Sequence, residues 1–135
     1  MRLLSIMLVW LSVSLTPSHA AMSNEYAIVF LFQNSCGYCH RFAPQVTKAS
    51  QSLGIPVYAF SLDGEGIPDF PVPFPATQET RDTFLVDSKV VPATFLINVN
   101  SRKFTRITTG YFEPPILYQG LSSAINDPEV QEALR

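Results

Sequence analysis

Two cysteines separated by two residues are the side chains of this sequence best suited to chemistry. Cys36 and Cys39 are the only cysteines of the 135-residue chain, and they lie in the stretch Ser-Cys-Gly-Tyr-Cys-His. A pair at this spacing can alternate between a dithiol and a disulfide, because a thiolate attacks a sulfur–sulfur bond and a second thiol releases the mixed disulfide that forms. The spacing therefore indicates a redox pair.

The residues around the pair predict a strand before it and a helix after it. Tyr26–Phe32 is short and almost wholly apolar, which is typical of a strand buried on both faces. Downstream, apolar residues recur at helical spacing. We expect Asn34 or Ser35 to be the N-cap. A thiolate at a helix start is stabilised by unpaired N–H groups and by the macrodipole, so the pKa of Cys36 should be low. Cys36 is thus the predicted nucleophile and Cys39 the resolving thiol.

Two other interpretations of the cysteine pair stay open. A structural zinc site needs about four ligands, and the only further soft donors are His40 and His19. An inert structural disulfide is the second alternative, although so small a loop would restrict the unfolded chain little. The strand–helix context favours the redox pair over both. We therefore expect neither a metal nor a cofactor.

Composition places the chain among globular proteins with a single packed core. Hydrophobic residues make up 47% of the sequence and charged residues 15%, whereas disordered chains have the reverse balance. The net charge of −2 gives no reason to expect nucleic acid as a partner.

The first twenty residues have the pattern of a secretory signal. Arg2 precedes an apolar stretch at residues 3–15, and small residues precede a predicted cut before Ala21. The alternative is an uncleaved anchor, but the apolar stretch is shorter than the ~20 residues that span a bilayer. We predict a signal peptide at 1–20 and one domain at 21–135. In an oxidising compartment, a single close cysteine pair suggests a protein that acts on the disulfides of others.

The remaining elements predict an α/β domain. Strands are expected at 57–62, 95–99 and 103–109, and helices at 77–86 and 115–125, followed by a short C-terminal helix. The proline-rich passage 68–75 is expected to be an irregular loop. Together these elements predict a four-stranded mixed sheet of order 2-1-3-4, with strand three antiparallel to strand one and helices on both faces.

The sequence resembles the thioredoxin superfamily at two motifs. One is the buried strand and C-x-x-C helix start, with Pro44 five residues after the second cysteine; the other is Val91-Pro92 at the start of a hairpin strand. In that family this peptide bond is cis and lies beside the cysteines, which an X–Pro bond permits at modest cost; an ordinary trans proline is the alternative. The resemblance implies a thioredoxin-like fold. It also implies that the Val91 backbone pairs with an extended substrate and that Pro92 keeps metal ions from the sulfurs.

A closer resemblance is to the TrbB-type proteins of F-type conjugative transfer systems, and the Gly-Tyr dipeptide resembles that of the periplasmic isomerase DsbC. The matching segments are 29–32, 36–40, 61–66, 71–73 and 92–100. The resemblance implies a periplasmic thiol-disulfide oxidoreductase or isomerase. Its implied partners are cysteine-containing secreted or pilus-assembly proteins, with a membrane redox donor if it acts as a reductase.

Within that resemblance, Gly37 and Tyr38 are expected to tune the redox properties of the cysteine pair. His40 would add positive charge near the pair when protonated, or else it is a surface residue without a role. Phe30 stands where thioredoxins bury an acid. No dimerisation domain of the DsbC kind is apparent, so we expect a monomer. The alternative function is a non-catalytic assembly module that docks a transfer-system protein through an apolar rim at Tyr38 and Val91.

Overall fold

A computed structural model describes residues 25–135, and the predicted signal peptide, 1–20, lies outside them. The strands are β1 Tyr26–Phe32, β2 Val57–Ser61, β3 Phe74–Pro75, β4 Ala93–Asn98 and β5 Phe104–Thr109. The helices are α1 Gly37–Leu53, α2 Gln78–Phe84, α3 Ile116–Asn126 and α4 Pro128–Leu134. Over residues 25–135, no helix has both the length and the hydropathy needed to cross a bilayer.

The strands form one mixed sheet of order β3-β2-β1-β4-β5. β1 is parallel to β2, with Ile28 opposite Val57, and antiparallel to β4, with Ile28 opposite Leu96. β4 and β5 form the closing antiparallel pair. The four predicted strands thus lie in the predicted order, but the predicted strand number was wrong, because the sheet has five strands.

The additional strand, β3, lies in the passage predicted to be an irregular loop. Phe74 pairs with Phe60 and Pro75 with Ser61, parallel to β2 at the sheet edge. An edge strand bonds on one side only, so a proline that lacks an N–H is tolerated there. The pairing involves two residues and leaves no alternating pattern, which is why the sequence did not reveal it.

Each face of β1 packs against a separate core. One face carries Ile28, Phe30 and Phe32 against α1, α3 and α4, and the other carries Val29 and Leu31 against α2. All five side chains are at most 2% exposed, and burial of each contributes roughly 1.5–3 kcal/mol. Because β1 is fixed on both faces, the residues that follow it begin from a rigid position.

Helix boundaries follow the expected chemistry with one correction. Thr77 is the N-cap of α2, as predicted, and its hydroxyl accepts the N–H of Thr80 at 3.2 Å. α1 ends at Leu53 and is capped by Gly54, whose positive φ of 67° suits a residue without Cβ. However, α1 begins at Gly37, and neither predicted N-cap residue caps it.

Candidate active site

Cys36 itself is the N-cap of α1, so the prediction of Asn34 or Ser35 was wrong. The Sγ atom of Cys36 accepts the backbone N–H of Cys39 at 3.1 Å. The carbonyl oxygen of Cys36 also accepts the N–H groups of Cys39, at 3.1 Å, and His40, at 3.3 Å. A sulfur therefore takes the place of the usual capping oxygen and satisfies one of the N–H groups that a helix start leaves unpaired.

The two cysteines form a disulfide and differ in their exposure to solvent. Their Cα atoms are 5.2 Å apart. Cys39 is fully buried, among core residues that include Phe42, whereas Cys36 is half-buried at the surface. A reagent or a substrate sulfur therefore reaches Cys36 first, while Cys39 is accessible only to its neighbour.

The electrostatics of the helix start favour negative charge on Cys36. The first turn of α1 contains no acidic residue, so no carboxylate within it offsets the positive end of the helix dipole. The capping N–H of Cys39 points at the same sulfur. A thiolate at this position would gain a charge-assisted hydrogen bond and a favourable helix dipole.

A carboxylate from the loop after β2 holds the turn that leads into the cysteines. One oxygen of Asp63, Oδ2, accepts the backbone N–H groups of Asn34 at 2.9 Å and Ser35 at 3.4 Å. The other, Oδ1, accepts the hydroxyl of Ser61 at 2.8 Å and the N–H of Glu65 at 3.2 Å. Desolvation raises the pKa of Asp63, but these hydrogen bonds together outweigh it and hold the pKa below its ordinary value.

His40 also holds the same turn, through a backbone carbonyl. Its Nε2 lies 2.7 Å from the carbonyl oxygen of Asn34. A carbonyl can only accept, so Nε2 carries the hydrogen. The structure thus gives His40 a contact that positions the turn, which the sequence did not suggest. Its predicted role as a source of charge stays a prediction.

Val91 and Pro92 lie beside the cysteines, and the peptide bond between them is cis. The carbonyl oxygen of Val91 is 3.9 Å from the Sγ of Cys36. Within residues 25–135, no backbone hydrogen bond uses the N–H or the carbonyl of Val91, whereas Pro92 is bonded through its carbonyl to the N–H of Gly110 at 2.8 Å. The backbone of Val91 is therefore available to a partner next to the reactive sulfur.

The residues between the cysteines form the exposed edge of the site. A Cβ added at Gly37 would meet no atom within 4 Å, and Tyr38 is 60% exposed. The Tyr38 ring lies 5.7 Å from that of Tyr111, and the guanidinium of Arg41 lies over both rings, at 5.8 and 4.9 Å. Aromatic and cationic groups thus border the cysteines on the side of α3, an arrangement that the sequence did not predict.

Behind Cys39 the interior is aromatic. Phe30 is fully buried, and its ring stacks on Phe32 at 5.3 Å and contacts Phe70 at 5.4 Å. The fully or nearly buried polar side chains of residues 25–135 are those of Ser61, Thr94, Asn98 and Thr108, and none is ionisable. The same residues contain no group of three His, Cys, Asp or Glu side chains placed to hold a metal ion.

All seven predicted site residues lie around the N-terminus of α1 and the Val91–Pro92 bond. Sequence reasoning missed Asp63 as well as Arg41 and Tyr111, and of these Asp63 had a signal in the sequence. Its signal was its place immediately after β2, because the carboxyl ends of parallel neighbouring strands meet at the same edge of a sheet. The acidic turn at 63–66 could therefore have been placed next to the cysteines.

Comparison with known proteins places the chain in a family. A family model described as "TraF: F plasmid transfer operon protein" matches residues 19–117. The chain belongs to the TraF family. The matched region of that family includes the cysteine pair, the acidic turn and the Val91–Pro92 bond.

Individual relatives agree with this assignment. The chain is 36% identical over 78 residues to Protein TrbB of Escherichia coli (strain K12), an alignment that spans 57% of this chain and 43% of TrbB. Less than half of that relative is therefore matched.

Solved structures show that this TraF-family chain has a thioredoxin-like fold. MTB dsbF has a TM-score of 0.56 at 16% identity, covering 74% of this chain and 81% of that one. A thioredoxin family thiol:disulfide interchange protein from Chlorobium tepidum TLS has a TM-score of 0.53 at 18% identity, covering 83% and 81%. Identities this low establish the fold alone.

The contacts of Asp63 predict a pH-dependent contribution to stability. Because its folded pKa is depressed, the contribution is complete above the unfolded pKa of about 3.9 and is lost as pH falls through the lower folded value. We expect Asp63→Asn to lower the midpoint of urea unfolding near neutral pH, and the difference from the wild type to shrink as pH falls below the unfolded pKa. Asp69→Asn is the control, since this exposed side chain accepts no hydrogen bond within residues 25–135. A difference for Asp63→Asn that is constant with pH would contradict the prediction.

Proposed function

We propose that this chain is a thiol-disulfide oxidoreductase that exchanges disulfides with other proteins through Cys36 and Cys39. The observation that carries the proposal is the disulfide at the start of α1, with one sulfur accessible and the other buried. An inert structural bridge would gain nothing from this asymmetry, whereas an exchange reaction needs one sulfur that meets the substrate and one that does not.

The reaction follows from that asymmetry. In the reduced protein, the Cys36 thiolate attacks one sulfur of a substrate disulfide, and the other substrate sulfur leaves as a thiolate. The Cys39 thiolate then attacks the Sγ of Cys36, which releases the second substrate thiolate and forms the Cys36–Cys39 disulfide. Two electrons pass from the pair to the substrate, and each departing thiolate takes a proton from water. The reverse sequence oxidises a substrate dithiol.

Among the residues that the structure describes, Cys39 has no buried carboxyl group beside it that could accept or donate its proton. Phe30 occupies the strand position behind the pair, and within residues 25–135 no ionisable side chain other than that of Cys39 is buried in this core. We propose that water entering beside Cys36 carries the proton, because Cys36 is the only one of the two sulfurs that solvent approaches.

A substrate segment would bind in extended form along Val91. The free N–H and carbonyl of this residue lie next to the reactive sulfur and can pair with a substrate backbone, as in strand addition. Backbone pairing does not depend on substrate sequence, which suits a protein that acts on several cysteine-containing partners. The exposed rings at Tyr38 and Phe112 would supply apolar contact.

Membership of the TraF family supports a role in an F-type transfer system. We propose that the substrates are cysteine-containing secreted or pilus-assembly proteins and that the chain acts in the periplasm as a monomer. A membrane redox donor would recharge the pair if the protein acts as a reductase. Oxidase, isomerase and reductase differ in the partner that restores the pair rather than in the site itself.

Export is testable at the N-terminus of the mature protein. Expression of the full chain in a Gram-negative host should yield a periplasmic protein that begins at Ala21, because small residues precede that position. Mass spectrometry of the periplasmic fraction would establish this. Replacing residues 5–8 of the apolar stretch with charged residues should leave the protein in the cytoplasm. An intact N-terminus on a membrane-bound product would contradict the prediction.

Exchange is testable by replacing each cysteine in turn. Cys36→Ala should lower insulin reduction by a factor of at least ~100, because the nucleophile is lost. Cys39→Ala should accumulate mixed disulfides with substrates, visible on non-reducing gels, because the buried sulfur no longer releases them. Ser52→Ala, on the exposed end of α1, is the control and should behave as wild type.

The same variants separate catalysis from docking. The alternative function, binding without catalysis, has in its favour the exposed apolar side chains of Tyr38, which lies between the cysteines, and Val90, which precedes Val91 in the chain. If the double Cys36→Ala, Cys39→Ala variant restored conjugative transfer to a strain that lacks the protein, docking would be the function and the exchange proposal would be wrong.

A further inference from the structure

The turn at 33–35, here called the cysteine turn, is held by three hydrogen bonds that Asn34 makes through its backbone N–H, its carbonyl and its side-chain amide. The backbone N–H of Asn34 is accepted by Asp63 at 2.9 Å, and its carbonyl accepts Nε2 of His40 at 2.7 Å. Its side-chain amide donates to the carbonyl of Gly66 at 2.6 Å. Two of these three partners belong to the loop after β2 and are 29 and 32 residues away in the chain.

Asp63 is the only charged member of this set of contacts to the loop after β2. Its carboxylate is itself held by the hydroxyl of Ser61, which is 1% exposed, and by the N–H of Glu65. The single hydroxyl hydrogen of Ser61 is shared between Asp63 and the carbonyl of Glu65, at 2.8 and 2.7 Å. A buried side chain thus orients the carboxylate, and the carboxylate orients the turn.

We propose that Asp63 is a positioning residue for the redox pair: its carboxylate holds the cysteine turn so that, in the reduced protein, the Cys36 sulfur stays at the capping N–H of Cys39. The inference deepens the proposed function and rests on it, since it concerns the same two sulfurs. Asp63 does not touch the reacting atoms; it acts through the backbone of Asn34 and Ser35.

The contribution of Asp63 should differ between the two redox states. In the disulfide form, a covalent bond keeps Cys36 at the helix start whether or not the turn is held. In the disulfide form the Cys36 sulfur accepts the Cys39 N–H at 3.1 Å. In the dithiol form only the backbone would hold the sulfur at that N–H, so loss of the Asp63 contacts would cost the reduced form more. A role in folding alone would destabilise both forms equally and would leave the equilibrium between them unchanged.

If Asp63 acted only through its negative charge, its removal would shift the dithiol–disulfide equilibrium in the opposite direction. A carboxylate near Cys36 disfavours its thiolate, so removing that charge would favour the reduced form. The contacts that position the turn favour the reduced form, so removing them would favour the disulfide. The sign of the change therefore distinguishes positioning from through-space electrostatics. Glu65 provides the comparison, because its carboxylate lies two residues away and accepts no hydrogen bond within residues 25–135.

The experiment is the equilibrium of the pair with reduced and oxidised glutathione, read as the ratio of dithiol to disulfide protein after alkylation. Asp63→Ala should shift the equilibrium constant about three- to tenfold toward the disulfide, the effect expected for one lost hydrogen-bonded position. Asp63→Asn keeps one acceptor oxygen and should shift it in the same direction by less. Asp63→Glu, if the longer side chain reaches the turn, should restore part of the wild-type value. Glu65→Gln should shift it less than twofold, or toward the dithiol.

The outcomes separate this inference from the proposed function. The positioning role is overturned if Asp63→Asn shifts the equilibrium constant less than twofold, or shifts it toward the dithiol. If Asp63→Ala does not fold, the result for Asp63→Asn decides alone. The measurement uses no protein substrate, so wild-type protein that equilibrates with glutathione but exchanges with no protein disulfide would contradict the proposed function and leave the role of Asp63 standing. A wild-type bridge that dithiothreitol cannot open would overturn both.

Discussion

The hydrogen bond from the Cys39 backbone to the Cys36 sulfur is the contact on which the rest of the site depends. It makes the reactive atom part of a helix terminus, where the N–H of Cys39 is shared between this sulfur and the carbonyl oxygen of Cys36. The surrounding structure supports that one contact. β1, buried on both faces, fixes the point of departure, and Asp63 and His40 fix the turn between strand and sulfur. The Cys36 sulfur is therefore both the capping acceptor of α1 and the predicted reactive atom.

The elements that the sequence predicted well are those with a strong local pattern. β1 has the predicted bounds because seven apolar residues in succession leave little choice, and Thr77 caps α2 because its hydroxyl can reach a helix N–H. β3 was missed because two exposed residues, one of them a proline, pair only through the backbone of β2. The strand order was predictable because a parallel first pair and a closing hairpin leave few arrangements.

The N-cap of α1 shows why local preference fails at a functional site. Asn34 and Ser35 are good capping residues by type, but their backbone N–H groups and the Asn34 amide are used by the loop after β2. Those contacts hold both residues in the turn before α1, and because α1 begins at Gly37, the capping position is that of Cys36. The cysteines were predictable from their spacing and Asp63 from its place after β2, whereas the contacts of Arg41 and Tyr111 were not, because they depend on which helices and loops lie side by side.

The difference in reactivity between the two sulfurs is the central claim, and alkylation of the fully reduced protein tests it most directly. The native dithiol protein would be treated with a limiting amount of iodoacetamide, and each cysteine peptide would be quantified by mass spectrometry over time. The structure predicts that Cys36 is modified at least ~10-fold faster than Cys39, because it is the accessible sulfur at the helix start. Equal rates, or faster modification of Cys39, would contradict the account.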